Sequence, residues 1–430
     1  MWQINVKERP EAISDEIPMP DKAYKIQIIC ECEESGTSDA MLGNIGKITV
    51  GSTNDNEFIN YPSELEIEIV FNYSIDDVAF ELLLKRLLNN KTTLIISTRD
   101  YEGETWSTFF VGILRNDSLM GQEFRTINLK FISIITDLLT YPPSDTYFSP
   151  EEAYSFQYYV EHVLESYLGY QLSNYFRGGY GIRLTYEKDG LEVECTPDYF
   201  LLPCSIYLGE SNYANWLDVF KSMFAAFGYI GYFGLYKSFC LCPLFYDGST
   251  ILPIIKENLL DYYEIQVARK ISKLTCHIAT GQLSPKVYRD YVYSQMTFYE
   301  NEAEITHDHP VGTLPGGGAW SGVICKPDVG EETYWATFNS AHFKDESNYA
   351  SLWLKITDKY WNLMKNPRSQ LKVKVKGLLT DINCMGFYCF DFLGGTYRAV
   401  QIAYDLINNT SELTLRKVLD NIPEGGNPFL

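Results

Sequence analysis

The chain has 430 residues, 46% of them apolar and 15% aromatic, which excludes a disordered polymer and allows about two or three domains with substantial cores. Its 56 acidic residues against 35 basic ones leave a formal charge of −21, which excludes a surface that grips nucleic acid unless charge is strongly segregated. Acidity does not exclude DNA passing through without sticking.

The first residues, MWQINVKERPEAIS, lack a basic stretch followed by an apolar one, so no secretory signal is expected. The ten cysteines form no disulfide ladder. Cys30/Cys32 and Cys240/Cys242 sit two apart within apparent strands, one thiol pair per face, without the Cys-x-x-Cys knuckles that zinc sites favour. They read as reduced core cysteines of a protein made in a cytosol.

Residues 1–22 read as an acidic, proline-bearing arm. YKIQIICE and IGKITV follow as strands, and SELEIEIVF alternates cleanly, with Leu65, Ile67 and Ile69 on one face and Glu64, Glu66 and Glu68 on the other. A helix is predicted next, with Ser74 as N-cap and Asp76 and Asp77 in its first turn. Its apolar stripe is Phe80, Leu83, Leu84, Leu87 and Leu88, and Asn89-Asn90 stop it. TTLIIST, WSTFFVGIL and FRTINLKFISI complete a sheet-rich unit over residues 23–143.

SPEE at Ser149 opens a second predicted helix with Phe156, Tyr159, Val160, Val163 and Tyr167 on its apolar side, and GIRLTYEKDGLEVEC adds short strands. SMFAAFGYIGYFGLY, residues 222–236, carries no charge. A membrane helix needs about 20 apolar residues and cannot break into a hairpin in lipid. Here Trp216, Phe220, Met223, Phe224 and Phe227 repeat at helical spacing up to a C-capping Gly228, after which YIGYF and SFCLCPLF read as a hairpin. The stretch is a buried core element of a middle helix–hairpin domain, residues 144–255.

Residues 256–430 form a third unit, with an insert at about 291–344. YYEIQVARKISKLTCHIAT reads as strands, residues 349–364 as a helix, and LKVKVKGLL as a strand with Leu371, Val373 and Val375 inward and Lys372, Lys374 and Lys376 outward. More strands follow, punctuated by Gly394-Gly395 and Asn408-Asn409. The expected class is α+β: two antiparallel β domains at the ends, each with an accompanying helix, plus the middle helix–hairpin domain.

Chemistry is sparse. His307 and His309 flank Asp308 in THDHP, but no third ligand follows at a fixed spacing. Gly316-Gly317-Gly318 lacks the Lys and Ser/Thr of a phosphate loop, no G-x-S-x-G elbow occurs, and among 56 acids any carboxylate pair is a guess. The expectation is a protein that is not an enzyme and has no cofactor, metal or catalytic residue. The charged faces speak more clearly. Glu64, Glu66 and Glu68 on one strand and Lys372, Lys374 and Lys376 on another read first as the wet sides of half-buried strands, with lysine guarding an edge. The sharper reading makes them a subunit seam or a channel wall.

Four passages, in order, resemble the tail (baseplate) hub proteins of tailed phages and contractile injection systems. They are the run from SELEIEIVF through WSTFFVGIL, with Phe110, Gly112 and Leu114, to INLKFISIITDLL; the helix YYVEHVLESYLGY; NWLDVFKSMFAAFGYIGYFGLYKSFCLCP; and ASLWLKITDKYWNLMKNPRSQLKVKVKGLL with GGTYRAVQIAYDLINNTSELTLRKV. The match spans most of residues 23–420, the insert has no counterpart, and any cell-wall-cutting activity is expected to belong to a partner. The resemblance implies two tail-tube-like domains per chain and a homotrimeric, pseudo-sixfold ring. Such a ring adapts a sixfold tail tube to a threefold tip or spike and forms part of the DNA conduit. The implied partners are copies of itself, a tail tube or distal tail protein, a tip, spike or fibre protein, and genome DNA in transit without specific binding, with no stable membrane insertion. The implied place is the virion tail, assembled in the bacterial host cytoplasm. An adhesin or carbohydrate-binding tail protein and a distal-tail ring protein are the alternative readings.

Overall fold

A computed structural model describes residues 1–8, 16–19, 22–51, 59–71, 77–100, 105–115, 125–139, 153–163, 184–188, 191–195, 201–203, 215–217, 219–220, 224, 229–235, 239–243, 251–266, 273–280, 292–299, 303–308, 326–328, 331–337, 369–379 and 386–423. The first unit contains β1 (Trp2–Lys7), β2 (Ile17–Met19), β3 (Lys22–Cys30), β4 (Gly36–Ile45), β5 (Ile48–Gly51), β6 (Ile59–Asn60), β7 (Leu65–Phe71), α1 (Asp77–Asn89), β8 (Thr92–Asp100), β9 (Ser107–Leu114), β10 (Thr126–Ser133) and α2 (Ile134–Leu139). Strand order β1-β4-β7-β10-β9-β8-β3 returns to β1, which pairs β4 in parallel and β3 antiparallel. The result is a closed seven-stranded barrel, with β2 pairing Lys22–Tyr24 at the start of β3, ahead of the residues that pair β1. Trp2–Lys7, read from composition as part of an arm, is the strand that closes it.

The alternation in β7 does what its period dictates: Leu65, Ile67, Ile69 and Phe71 are buried, and Glu66 is exposed. Helix α1 buries Phe80, Leu83, Leu84 and Leu87, while Leu88 is half-buried; its expected N-cap, Ser74, lies outside the described residues. Phe80 meets Phe71 edge-on at 5.8 Å, which ties the helix to the barrel.

The middle of the chain carries β11 (Ala153–Ser155), α3 (Phe156–Glu161), β12 (Leu184–Lys188), β13 (Leu191–Cys195), β14 (Leu201–Pro203), β15 (Tyr229–Phe233) and β16 (Phe239–Pro243). The SPEE signal misplaces a boundary: Ala153–Ser155 pairs with β14 as a strand, and the helix starts at Phe156. Trp216, Leu217, Val219, Phe220 and Phe224 are helical, and all five residues of β15 are buried. Phe220 stacks on Phe224 at 5.6 Å, and Phe224 lies 6.0 Å from Phe239. A Cβ on Gly231 would stand 2.1 Å from the Phe224 ring, so only glycine lets β15 run under it. The hairpin follows the sequence reading. Gly228, its expected hinge, lies outside the described residues.

The last part contains β17 (Ile251–Ile254), β18 (Leu259–Gln266), β19 (Lys273–Thr280), β20 (Val292–Tyr299), β21 (Ala303–Asp308), β22 (Lys326–Asp328), β23 (Glu331–Thr337), β24 (Ser369–Lys376), β25 (Phe387–Phe390), β26 (Thr396–Asp405) and β27 (Thr410–Leu419). Strands β19 to β23 form one sheet, ordered β21-β20-β19-β23-β22, which includes much of the expected insert. The rest form an open, half-barrel sheet ordered β17-β25-β26-β27-β24-β18. The tight β26–β27 connection is made at Asn409, whose φ of 49° asparagine tolerates better than most residues. The helix expected over residues 349–364 lies outside the described residues.

The α+β expectation is corrected. The chain is predominantly β, and its helices among the described residues are α1 with 13 residues, α2 and α3 with 6 each, and the turns around Trp216. Nor do the described residues form a separate middle helix–hairpin domain. Strand β15 pairs in parallel with β6, at Gly231↔Ile59 and Tyr232↔Asn60, so the hairpin extends a strand of the N-terminal region. Short helical stripes were legible locally, but the pairing partners that decide the class lie far away in sequence.

One stretch, residues 48–71, enters three sheets in turn. Strand β5 adds to β26 of the open sheet, β6 to the hairpin, and β7 to the barrel. Lys47 holds Glu412 at 2.6 Å, and the Ser63 amide donates to the Thr49 carbonyl at 2.6 Å. A contiguous apolar core follows the same path, including Ile67 and Phe110 of the barrel, Ile48 and Val50 of β5, Tyr232 of the hairpin, and Ile402 and Leu413 of the open sheet. Phe109 meets Tyr404 edge-on at 5.7 Å across the barrel–sheet junction. There the buried Tyr24 hydroxyl is pushed up to about 12, chiefly by burial and further by Glu8 and Asp405.

Candidate assembly site

The two charged strand faces occupy different sheets. On β7, Glu66 lies directly opposite Lys130 of β10 in the antiparallel ladder. The Lys130 ammonium reaches Glu66 at 3.6 Å and Glu64 at 2.5 Å, and Arg115 also pairs with Glu64. The Lys130 hydrogen bond, helped by that of Arg115, holds the Glu64 carboxyl below its ordinary range despite some desolvation. Its partner Lys130 is raised by the same hydrogen bond. Glu68 folds over Gly43 of β4, whose missing side chain leaves it room.

On β24 the inward residues Leu371, Val373 and Val375 are buried, Lys372 and Lys374 are half-buried and Lys376 is exposed. Lys374 lies 3.9 Å from Glu412, and Lys372 sits 6.0 Å from the centre of the Tyr263 ring on β18. Among the described residues no ion pair joins the glutamate stripe to the lysine stripe. Each stripe is tied to neighbours in its own sheet, and each keeps charge at the surface: Glu66 is 75% exposed and Lys374 35%.

The open sheet holds a row that sequence reasoning missed. Arg398, Arg416 and Gln370 are register neighbours on β26, β27 and β24, and all three are buried. Burial pulls the Arg416 guanidinium down to about 10. Polar residue types do not mark these positions as core in the sequence; the fold shows that they are covered.

Most of strand β18 lies in the stretch YYEIQVARKISKLTCHIAT that reads as strands, but nothing in that reading made it a candidate site. It ends the open sheet, and Leu260, Tyr262 and Tyr263 are 46%, 48% and 53% exposed. The signal was present in the aromatic doublet Tyr262-Tyr263 within an acidic strand.

The described residues hold no group of three or more His, Cys, Asp and Glu side chains suited to a metal ion. His307 ends up on β21 opposite Ser294, and His309 lies outside the described residues. No described helix is long and apolar enough to cross a membrane.

No family model matches the sequence, and no curated protein matches it. Among solved structures the chain is similar to the 43 kDa tail protein of prophage MuSo2 from Shewanella oneidensis, with 10% identity, 87% of this chain and 95% of that one covered, and a TM-score of 0.39. It is similar to prophage tail protein gp18 from Listeria monocytogenes EGD-e, with 9% identity, 86% and 87% covered, and a TM-score of 0.39. It is also similar to a chain of the phage P2 baseplate in its activated conformation, with 7% identity, 88% and 89% covered, and a TM-score of 0.30. The similarities are distant, and the functional reading rests on the residues and sheets.

Proposed function

We propose that this protein is a structural component of a phage tail: a baseplate or tail hub, three copies of which form a ring. The observation that carries the proposal is the pair of curved β units, one closed barrel and one half-barrel, locked into each chain by residues 48–71. Three chains with two such units each supply six quasi-equivalent positions, the count that joins a sixfold tube to a threefold tip or spike. The order of the hub-like sequence passages supports the same reading.

In this role the protein works by shape and charge, without a catalytic centre of its own. An acidic chain lining part of the conduit repels DNA phosphates and lets the genome slide past. The β7 glutamates and β24 lysines serve the ring as a seam between neighbouring copies. The domain division proposed with it is tube-like units at 1–143 and 256–430, the first including the barrel-closing strand Trp2–Lys7, and a linking region at 144–255.

The test is charge reversal of Lys372, Lys374 and Lys376 to glutamate, with assembly followed by mass photometry across a salt series. A seam predicts a shift from trimer to smaller species that is greatest at low salt, because exposed pairs are screened within a Debye length of about 8 Å at physiological ionic strength. An unchanged trimer would remove the stripe from the seam.

A further inference from the structure

Sheet edges are places where a foreign strand can add, and proteins usually blunt them with short length, proline or charge. Among the described residues this chain does so almost everywhere. β2, β14, β16, β17 and β22 are 3 to 5 residues long and each contains a proline: Pro18, Pro203, Pro243, Pro253 and Pro327. β6 has 2 residues and β11 has 3. The hairpin strands β12 and β13 and the edge strand β21 carry acids: Glu187, Glu192, Glu194, Glu304 and Asp308.

β18 also carries acids, Asp261 and Glu264, but it is the longest of these edges. It has 8 residues and no proline, and after one bulge at Leu260 it runs in unbroken register from Asp261 to Gln266 against β24. Its described pairing is on that side alone. Yet Leu260, Tyr262 and Tyr263 are about half exposed, together with Asp261 and Glu264.

The side already occupied shows which chemistry β18 accepts. Val373 stands opposite Tyr262, Lys374 opposite Asp261, and Lys372 opposite Tyr263 with its ammonium toward the ring. Glu264 stands opposite Leu371, so alternating apolar and basic residues of β24 lie against the acidic and aromatic run Asp261–Glu264. The same β18 residues are exposed, and the edge of β18 opposite β24 has no described strand. We propose that the outer edge of β18 binds an extended segment of a different protein, with apolar and basic residues alternating as they do in β24. A second copy of this chain is the poorer occupant, because its own described edges are short, proline-bearing or acidic. The proposal does not depend on the ring reading.

The probe is a fluorescent Lys-Val alternating peptide of about the length of β18, titrated into the full-length protein by anisotropy. A Glu-Val peptide and a Lys-Val peptide N-methylated at alternate residues serve as controls. Strand addition predicts binding by the plain Lys-Val peptide alone, weakened by roughly tenfold or more in an Asp261→Lys/Glu264→Lys variant and by a smaller factor in Asp261→Asn/Glu264→Gln. Circular dichroism of each variant confirms that the sheet is intact. Equal binding of the N-methylated peptide would show adhesion by charge without strand pairing and would overturn the proposal. So would no binding by any peptide, or self-association of the parent protein that the Asp261→Lys/Glu264→Lys change abolishes.

Discussion

Gly51→Ala probes the stitch between the barrel and the open sheet. Gly51 ends β5 at φ 96°, in left-handed territory, and a Cβ there would stand 2.3 Å from the Val400 carbonyl oxygen and 3.1 Å from the Gln401 Cα. Both obstacles are backbone, so no side-chain rotation relieves them. Forcing alanine into that conformation costs roughly 1–2 kcal/mol. Relieving the clash by lifting β5 from β26 would uncover Ile48 and Val50, both 0% exposed, at ~1.5–3 kcal/mol each. The chain takes the cheaper compromise, so the expected loss is about 2–4 kcal/mol. Urea unfolding measures it, and hydrogen exchange at residues 48–51 and 401–404 locates it. Gly394→Ala is the control, since nothing lies within 4 Å of its would-be Cβ. Gly51→Ala within about 0.5 kcal/mol of the parent, or equal losses in both variants, would show that Gly51 does not constrain the β5–β26 pairing.

Gly231→Ala should destabilise by about 1–3 kcal/mol in the same assay, because its Cβ would enter the Phe224 ring and the stacked Phe220 limits retreat. Phe109→Ala should cost about 3–5 kcal/mol and lower a single calorimetric transition, because the core it leaves is shared by the barrel and the open sheet. Glu64 has a lowered pKa, so its pairing adds stability above the ordinary carboxylate pKa and loses it as pH falls through the lowered value. Lys130→Met should raise that pKa in an NMR titration and flatten this acid-side dependence. A Glu64 value unmoved by the change would assign the shift to Arg115.

Local pattern made much of this fold legible. The alternation of Leu65 to Phe71 and of Leu371 to Lys376 places the strands β7 and β24 and their buried faces, and the stripe from Phe80 to Leu87 places α1. The hairpin of Tyr229–Phe233 and Phe239–Pro243 was legible for the same reason. What failed was non-local. β4, GTSDAMLGNI, is half-exposed and lacks an apolar period, so only its pairing with β1 and β7 makes it a strand. The entry of Ile48–Gly51 into a sheet with Gln401–Tyr404 spans some 350 residues and leaves no trace in a window of ten. The class was overestimated in helix for a related reason: capping signals mark where a helix can start, while the sheet partners decide how much strand surrounds it. For the charged stripes the alternation correctly gave the faces, but not their in-sheet partners Lys130, Arg115 and Glu412.

In the proposed ring of three chains the barrel and the half-barrel alternate around a channel. Cryo-electron microscopy of the assembled particle, classified without imposed symmetry, tests it most directly. Threefold symmetry is expected, with six β units around the lumen, two from each chain. A true sixfold ring of this chain, or single copies attached at the tail periphery, would contradict it.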